Sequence, residues 1–335
     1  MKLPKMKFSR EADRWRIIKS ALGGLNWVRK ENYHRLTIPQ VLTFGSRLAF
    51  RNFKFIPLFW LTNFALALVL TLPVFSLLQD SLAYSNLSDA LYREFDNIWL
   101  IQFMVLNEKY MTVVPYTIFS IAGVYIIIQL FYTGGVLSVF INPPKNHHVD
   151  FFFGGVKYFY RFLKIAVIAF MMYILGLVLN EFFNLLIKSS FAYSSMAWLE
   201  FTLTLIRYLL FLLLIGIVSI ISDYAKVVAV INDNNHAFRS IGIALLFIRK
   251  NFLRTLSVFL ILFGLLAIGA VIYNLVDGLI PRSPVYLILL TFIIQQFLII
   301  YRVIIRMYVY SSEVVLYQDL AAELTDYEVE EIPKS

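Results

Sequence analysis

Eight ionisable residues within largely apolar stretches stand out, and they fall into two groups. In the first, Asp223 and Lys226 lie three apart, and Arg302 and Arg306 lie four apart. On a helix each pair shares a face, and Asp223 is placed to meet an arginine across a bundle. The second group is Glu181, Glu200, Arg207 and Asp277. Arg207 sits nine residues past Trp198, roughly 13 Å at helical rise, and Glu181 is its expected counter-ion. Ionisable groups in hydrocarbon are expensive and mark ion paths or ligand sites. The first group could serve ion transfer, and the second could hold an anion or a lipid headgroup. The plainer readings are long side chains reaching phosphates near the span ends and structural ion pairs between spans.

Other chemistry finds little support. There is no GxSxG, HExxH or phosphate-binding glycine loop, and no convincing pair of carboxylates for hydrolysis. With zero cysteines, thiol catalysis, disulfides and cysteine metal sites are excluded. His147 and His148 with Asp150 lack a further ligand, so neither a metal nor any other cofactor is expected. Gly134-Gly135 and Gly154-Gly155 read as places of close approach or turning rather than phosphate cradles. Gln295-Gln296 lie mid-span and could bond between helices. Pro57, Pro73 and Pro115 are candidate kinks.

The elements that must position these residues are transmembrane helices. The chain has 335 residues, 60% hydrophobic and 15% charged, where a soluble domain is about a quarter charged. Six apolar stretches exceed the roughly 20 residues a spanning helix needs: 55–79, 112–141, 163–187, 198–231, 253–277 and 284–317. They are continuously apolar rather than alternating, which favours helices over barrel strands. The expected fold is an all-α integral membrane bundle of three hairpins. No secretory signal is visible, since the first apolar run begins near Phe55.

Charge placement sets the orientation. The net charge is +9, but residues 1–54 alone carry 13 Lys/Arg against three carboxylates. Trp15, Ile18, Leu22, Leu25 and Trp27 recur there at helical spacing, so residues 1–54 read as a basic amphipathic segment facing anionic headgroups, not nucleic acid. Two more basic connections lie on the same side: Lys145, Lys157, Arg161 and Lys164, then Arg239, Arg249, Lys250 and Arg254. The opposite loops hold only Arg93, Lys109, Lys188 and Arg282. By the positive-inside rule both termini are cytoplasmic.

A repeat underlies this pattern. With Asn142 set on Asn232, residues 131–170 overlie 221–260 without a gap. Arg161-Phe162-Leu163-Lys164 falls on Asn251-Phe252-Leu253-Arg254, and Asn52-Phe53 begins a first copy. Gly45, Gly154 and Ala244 each precede the aromatic by eight. Gly135-Val136-Leu137, Lys226-Val227-Val228 and Glu313-Val314-Val315 end the even spans alike. The unit expected is an interfacial helix followed by an outward and an inward span. In the long outer loop, Ser88 caps a helix from Asp89 whose apolar face is Leu91, Phe95, Ile98 and Val105. The tail 318–335 is acidic and is expected to be solvated or to touch the basic N-terminal segment.

Asp223-Tyr224-Ala225-Lys226, then residues 237–250, then Asn251-Phe252, resembles a pattern in bacterial multi-spanning proteins. Among these is the membrane domain joined to some glycerophosphodiester phosphodiesterases. The resemblance covers about a third of the chain, and no phosphodiesterase domain is present. It implies a helical module of a bacterial cytoplasmic membrane without an assigned reaction. The expected function is a non-enzymatic module binding lipid, a membrane-protein partner or a second copy. A transporter or channel using the buried charges and an intramembrane lipid enzyme are the alternatives. Copies that all begin on one side disfavour the inverted-repeat plan of many transporters.

Overall fold

In the computed structural model, residues 35–82, 97–141, 147–191, 196–233, 235–281 and 285–330 are described. Among them there is no strand. The helices are α1 (Ile38–Arg51), α2 (Ile56–Leu82), α3 (Asn97–Leu106), α4 (Glu108–Met111), α5 (Val114–Ile141), α6 (His147–Phe191), α7 (Ala197–Ile231), α8 (Ala237–Lys250), α9 (Phe252–Leu279) and α10 (Val285–Glu330). Six helical stretches are long and apolar enough to cross a bilayer, at 53–82, 108–141, 148–191, 198–231, 252–279 and 286–321. Only 17% of the most apolar window of the fourth is buried within the protein, and Leu209, Leu210, Leu212 and Leu213 are all exposed. Apolar surface on that scale is not stable in water, so lipid is the solvent of these helices. The protein is an all-α integral membrane protein.

Helix is the only local solution for such runs in lipid, because each backbone N–H is then satisfied within its own segment. Pro57 and Pro115 occupy the second position of α2 and α5, where proline removes no helical hydrogen bond. They start spans rather than kink them. Pro73 alone of the three lies inside a helix.

Two of the three expected interfacial helices are separate elements, α1 and α8. The third is not, because residues 147–191 form one 45-residue helix, and the span expected at 163–187 is its continuation. The difference lies at the joints. Asn52 (φ −107°, ψ 21°) ends α1 and Asn251 (φ −120°, ψ 31°) ends α8. The Asn251 side-chain nitrogen donates to the Phe247 carbonyl at 3.3 Å. Asparagine competes for backbone partners in this way and breaks helices. Arg161, in the corresponding place, is a good helix former and stays helical.

Other boundaries move for related reasons. Residues 318–330 are a continuation of α10. Asp319 and Leu320 are buried there, and the Leu36 backbone N–H donates to Asp319 Oδ2 at 3.2 Å. In α3 the inward residue is Phe103, whereas Ile98 and Val105 are about two-thirds exposed. The apolar face expected through Ile98 and Val105 is therefore the outward one. The remaining outer-loop positions, Ser88, Asp89, Leu91 and Phe95, and the amphipathic residues Trp15 to Trp27, lie outside the described residues.

The chain divides into two compact units. The first contains the described residues within 35–48, 133–260 and 309–330. Here α6 runs along α7 and α7 along α8. Glycine and serine set the spacing of α5 against α6. A Cβ on Gly134 would stand 3.1 Å from the Gly154 carbonyl oxygen, and one on Gly135 would stand 2.7 Å from that of Phe151. One on Gly154 would collide with Ser138. Likewise the Ser311 hydroxyl donates to the Gly45 carbonyl at 2.7 Å, and Ser312 abuts Gly45. In lipid, helices associate through such close backbone approach. Ala244 is fully buried.

The second unit contains Ala49–Tyr132 and Ile261–Tyr308. Its helices are joined by polar side chains. Trp60 Nε1 donates to Gln296 Oε1 at 3.0 Å, the interhelical bond expected of the mid-span glutamines. Thr62 and Tyr132 share a 2.7 Å hydroxyl bond. The Tyr301 hydroxyl donates to the Leu265 carbonyl at 2.5 Å, and Tyr301 packs over Gly269.

Candidate functional site

Among the described residues, buried ionisable groups gather in the first unit on α7 and α10. Lys226 Nζ stands 2.7 Å from Asp223 Oδ1. One helical turn separates the two, so the same backbone that buries one delivers its partner. This corrects the expected pairing of Asp223 with an arginine. Arg302 and Arg306 belong to the other unit, and both are exposed on α10.

Glu313 completes the cluster. It is 3% exposed and interacts electrostatically with Asp223 and Lys226. Its Oε2 accepts no hydrogen bond. Aromatic side chains enclose the group. Tyr224 is 1% exposed, packs on Phe247 and lies in the field of Glu313. Phe247 packs in turn on Tyr317 at 4.8 Å. From α6, Tyr173 lies in the field of Asp223 and Lys226. One ion pair and a further buried acidic side chain thus sit in a packed seam, where charges persist only with close partners.

Glu313 escaped the sequence reading as a site because it was read only as the end of an even-numbered span. Its signal was available, being a lone acidic residue inside the last apolar stretch. Asp233 was also missed. At φ 48° it sits in the left-handed region, which aspartate tolerates better than most residues. From this turn its carboxylate meets Arg161 Nη1 at 2.6 Å and Lys157 Nζ at 3.1 Å. Both cations also lie 5.1 Å from the Tyr158 ring centre. The clamp ties the turn after α7 to α6, so part of the basic connection is neutralised rather than offered to a ligand.

Partial burial tends to raise the Asp233 carboxyl, but hydrogen bonds from Arg161 and Lys157 outweigh it and hold the group below the ordinary aspartate value. A depressed folded-state value stabilises the protein above the unfolded-state value, near ~3.9, and that contribution is lost as pH falls through the folded-state value. Asp233 is about half exposed, so the clamp is expected to contribute at most about 1 kcal/mol. Asp233→Asn should lower stability slightly at pH 7 and not at all well below pH 3.9. Equal losses at both pH values in a detergent unfolding titration would count against the clamp.

The second group does not converge. Arg207 is 7% exposed, and its guanidinium lies 4.4 Å from the Tyr208 ring centre. Its Nε and Nη1 have no acceptor. Glu181, expected as its counter-ion, is exposed and instead accepts from Asn184 Nδ2 at 2.9 Å. Glu200 lies in the first turn of α7 and is half-buried. Asp277 is half-buried near the end of α9, and its backbone carbonyl accepts from the Ile280 N–H at 3.2 Å. Neither forms an ion pair among the described residues.

A cavity lined by Ala49, Phe50, Phe53, Ile56, Ile304 and Met307 measures about 10 Å³, room for no more than about one water. Among the described residues no three histidine or acidic side chains converge as metal ligands. The chain matches no protein-family model, no curated protein and no solved structure.

Proposed function

We propose that this protein is a non-enzymatic membrane module that binds anionic lipid at one membrane face through its basic, aromatic interfacial helices. The observation that carries this reading is the composition of their outward faces. On α8, Phe238, Leu245 and Leu246 are exposed beside Arg239, Arg249 and Lys250, while Ala237, Ser240, Ala244 and Phe247 face inward. On α1, Arg47, Phe50 and Arg51 face out and Val41, Phe44 and Ala49 face in. The first turns of α6 expose Phe152, Phe153, Val156 and Tyr160, with Lys164 following. Apolar rings beside cations are what a helix needs to lie at an anionic headgroup layer. The packed seam around Asp223 and Glu313 favours this reading over transport, which would need a hydrated path.

Loop charge places this face, and with it both termini, in the cytoplasm. The module then belongs to a bacterial cytoplasmic membrane, as the sequence resemblance implies. The like-built joints at Asn52 and Asn251 support descent from a duplicated unit. The exposed aromatic surface could also receive a membrane-protein partner or a second copy.

The test uses Phe238→Trp as a reporter in bilayers. Brominated phosphatidylglycerol is expected to quench the added fluorescence more than brominated phosphatidylcholine. Replacing Arg239, Arg249 and Lys250 by glutamine should reduce that preference, by up to roughly fivefold per charge. Equal quenching by the two lipids in the parent would refute the proposal.

A further inference from the structure

Arg207 is a buried cation with unmet donors in the half of α7 that begins at Trp198. Helical side chains lean toward the N-terminus of their own helix, so Arg207 leans toward the Trp198 end and the nearer membrane surface. Tyr208 covers the guanidinium on one side. The carboxylates of this half are engaged elsewhere or unpaired with it. Glu181 is held by Asn184, and Glu200 makes no ion pair among the described residues. On α6 the Asn180 Oδ1 is a second buried polar atom without a partner. A guanidinium kept from water without an acceptor is costly. Planar donors of this kind match the oxygens of phosphate.

We propose that Arg207 binds the phosphate of a phospholipid in the leaflet at the Trp198 end. This site is separate from the basic interfacial helices, which lie toward the other membrane face. It takes a single lipid whose phosphodiester is drawn below the headgroup plane to the open edge of the guanidinium. A phosphodiester with either a neutral or an anionic headgroup satisfies it, because the contact is to phosphate.

The experiment is native mass spectrometry of the full chain, delipidated and then titrated in detergent with phosphatidylglycerol or phosphatidylcholine. The parent is expected to retain one lipid of either type at low ratio. Arg207→Gln should weaken that retention roughly ten- to a hundredfold, as loss of charge-assisted hydrogen bonds does. Arg207→Lys keeps the charge but loses the Nε–H, and should retain lipid at an intermediate level. It supplies the comparison if the glutamine variant fails to fold. The variant lacking the three basic side chains of α8 should keep this lipid, which separates the site from the interfacial one. Retention unchanged in both Arg207 variants would overturn the proposal. So would inorganic phosphate displacing the lipid at equimolar concentration, since the site would then be one for a free anion.

Discussion

Lys226→Met is expected to destabilise the protein by about 3–5 kcal/mol, the usual cost of removing one partner from a buried ionic group. The substitution keeps the side-chain length and removes the ammonium. It leaves Asp223 and Glu313 facing each other in a seam where Lys226 is about nine-tenths buried and Glu313 more so. The loss should appear in an unfolding titration with a denaturing detergent, and it should depend on the carboxylates. Adding Asp223→Asn to Lys226→Met should recover much of it, because it removes the charge that the lysine balanced, and Glu313→Gln should relieve the acidic group left beside Asp223. The coupling between positions should reach several times the few tenths expected of unconnected sites. A Lys226→Met protein as stable as the parent, or a double variant worse than the sum of its parts, would show that the three groups do not act together.

Gly154→Val is expected to fail in a different way, by separating α5 from α6. The added side chain would strike Ser138, and neither helix can yield without disturbing the Gly134 contact, where a Cβ would stand 3.1 Å from the Gly154 carbonyl oxygen. Overpacking of this kind costs about 1–3 kcal/mol and sometimes more. It should reduce the yield of monodisperse protein, whereas the same change at Gly242 or Gly264, where an added Cβ meets nothing within 4 Å, should be tolerated apart from backbone effects. Gly154→Ala is the graded form, and Ser138→Gly in the same chain should restore part of its loss. Equal yields for the valine variants at 154 and 264 would mean that close approach does not hold these helices together.

The two experiments bear on features that differed in how readily they could be read. The small residues at 45, 154 and 244 stood out in sequence because each precedes an aromatic by the same interval, and the structure places all three in close-packed positions. The buried ionic cluster was half visible. Asp223 and Lys226 were legible from their spacing, but Glu313 comes from a helix 90 residues away, and no local pattern links them. Arg207 shows the converse. Its depth was countable from Trp198, while the expected partner Glu181 turned out to be engaged by Asn184 three residues along its own helix. A local partner at fixed helical spacing costs less ordering than a distant one.

Sequence alone determined that the chain is helical and lies in lipid, because the length and continuity of an apolar run settle both without reference to any other segment. It also determined roughly where the six membrane-crossing helices run. Tertiary structure decided that α10 carries on past 317 around the buried Asp319, and which acidic group joins Asp223 and Lys226. These depend on which faces meet, and a face is matched only when another helix, often far away in the chain, is packed against it.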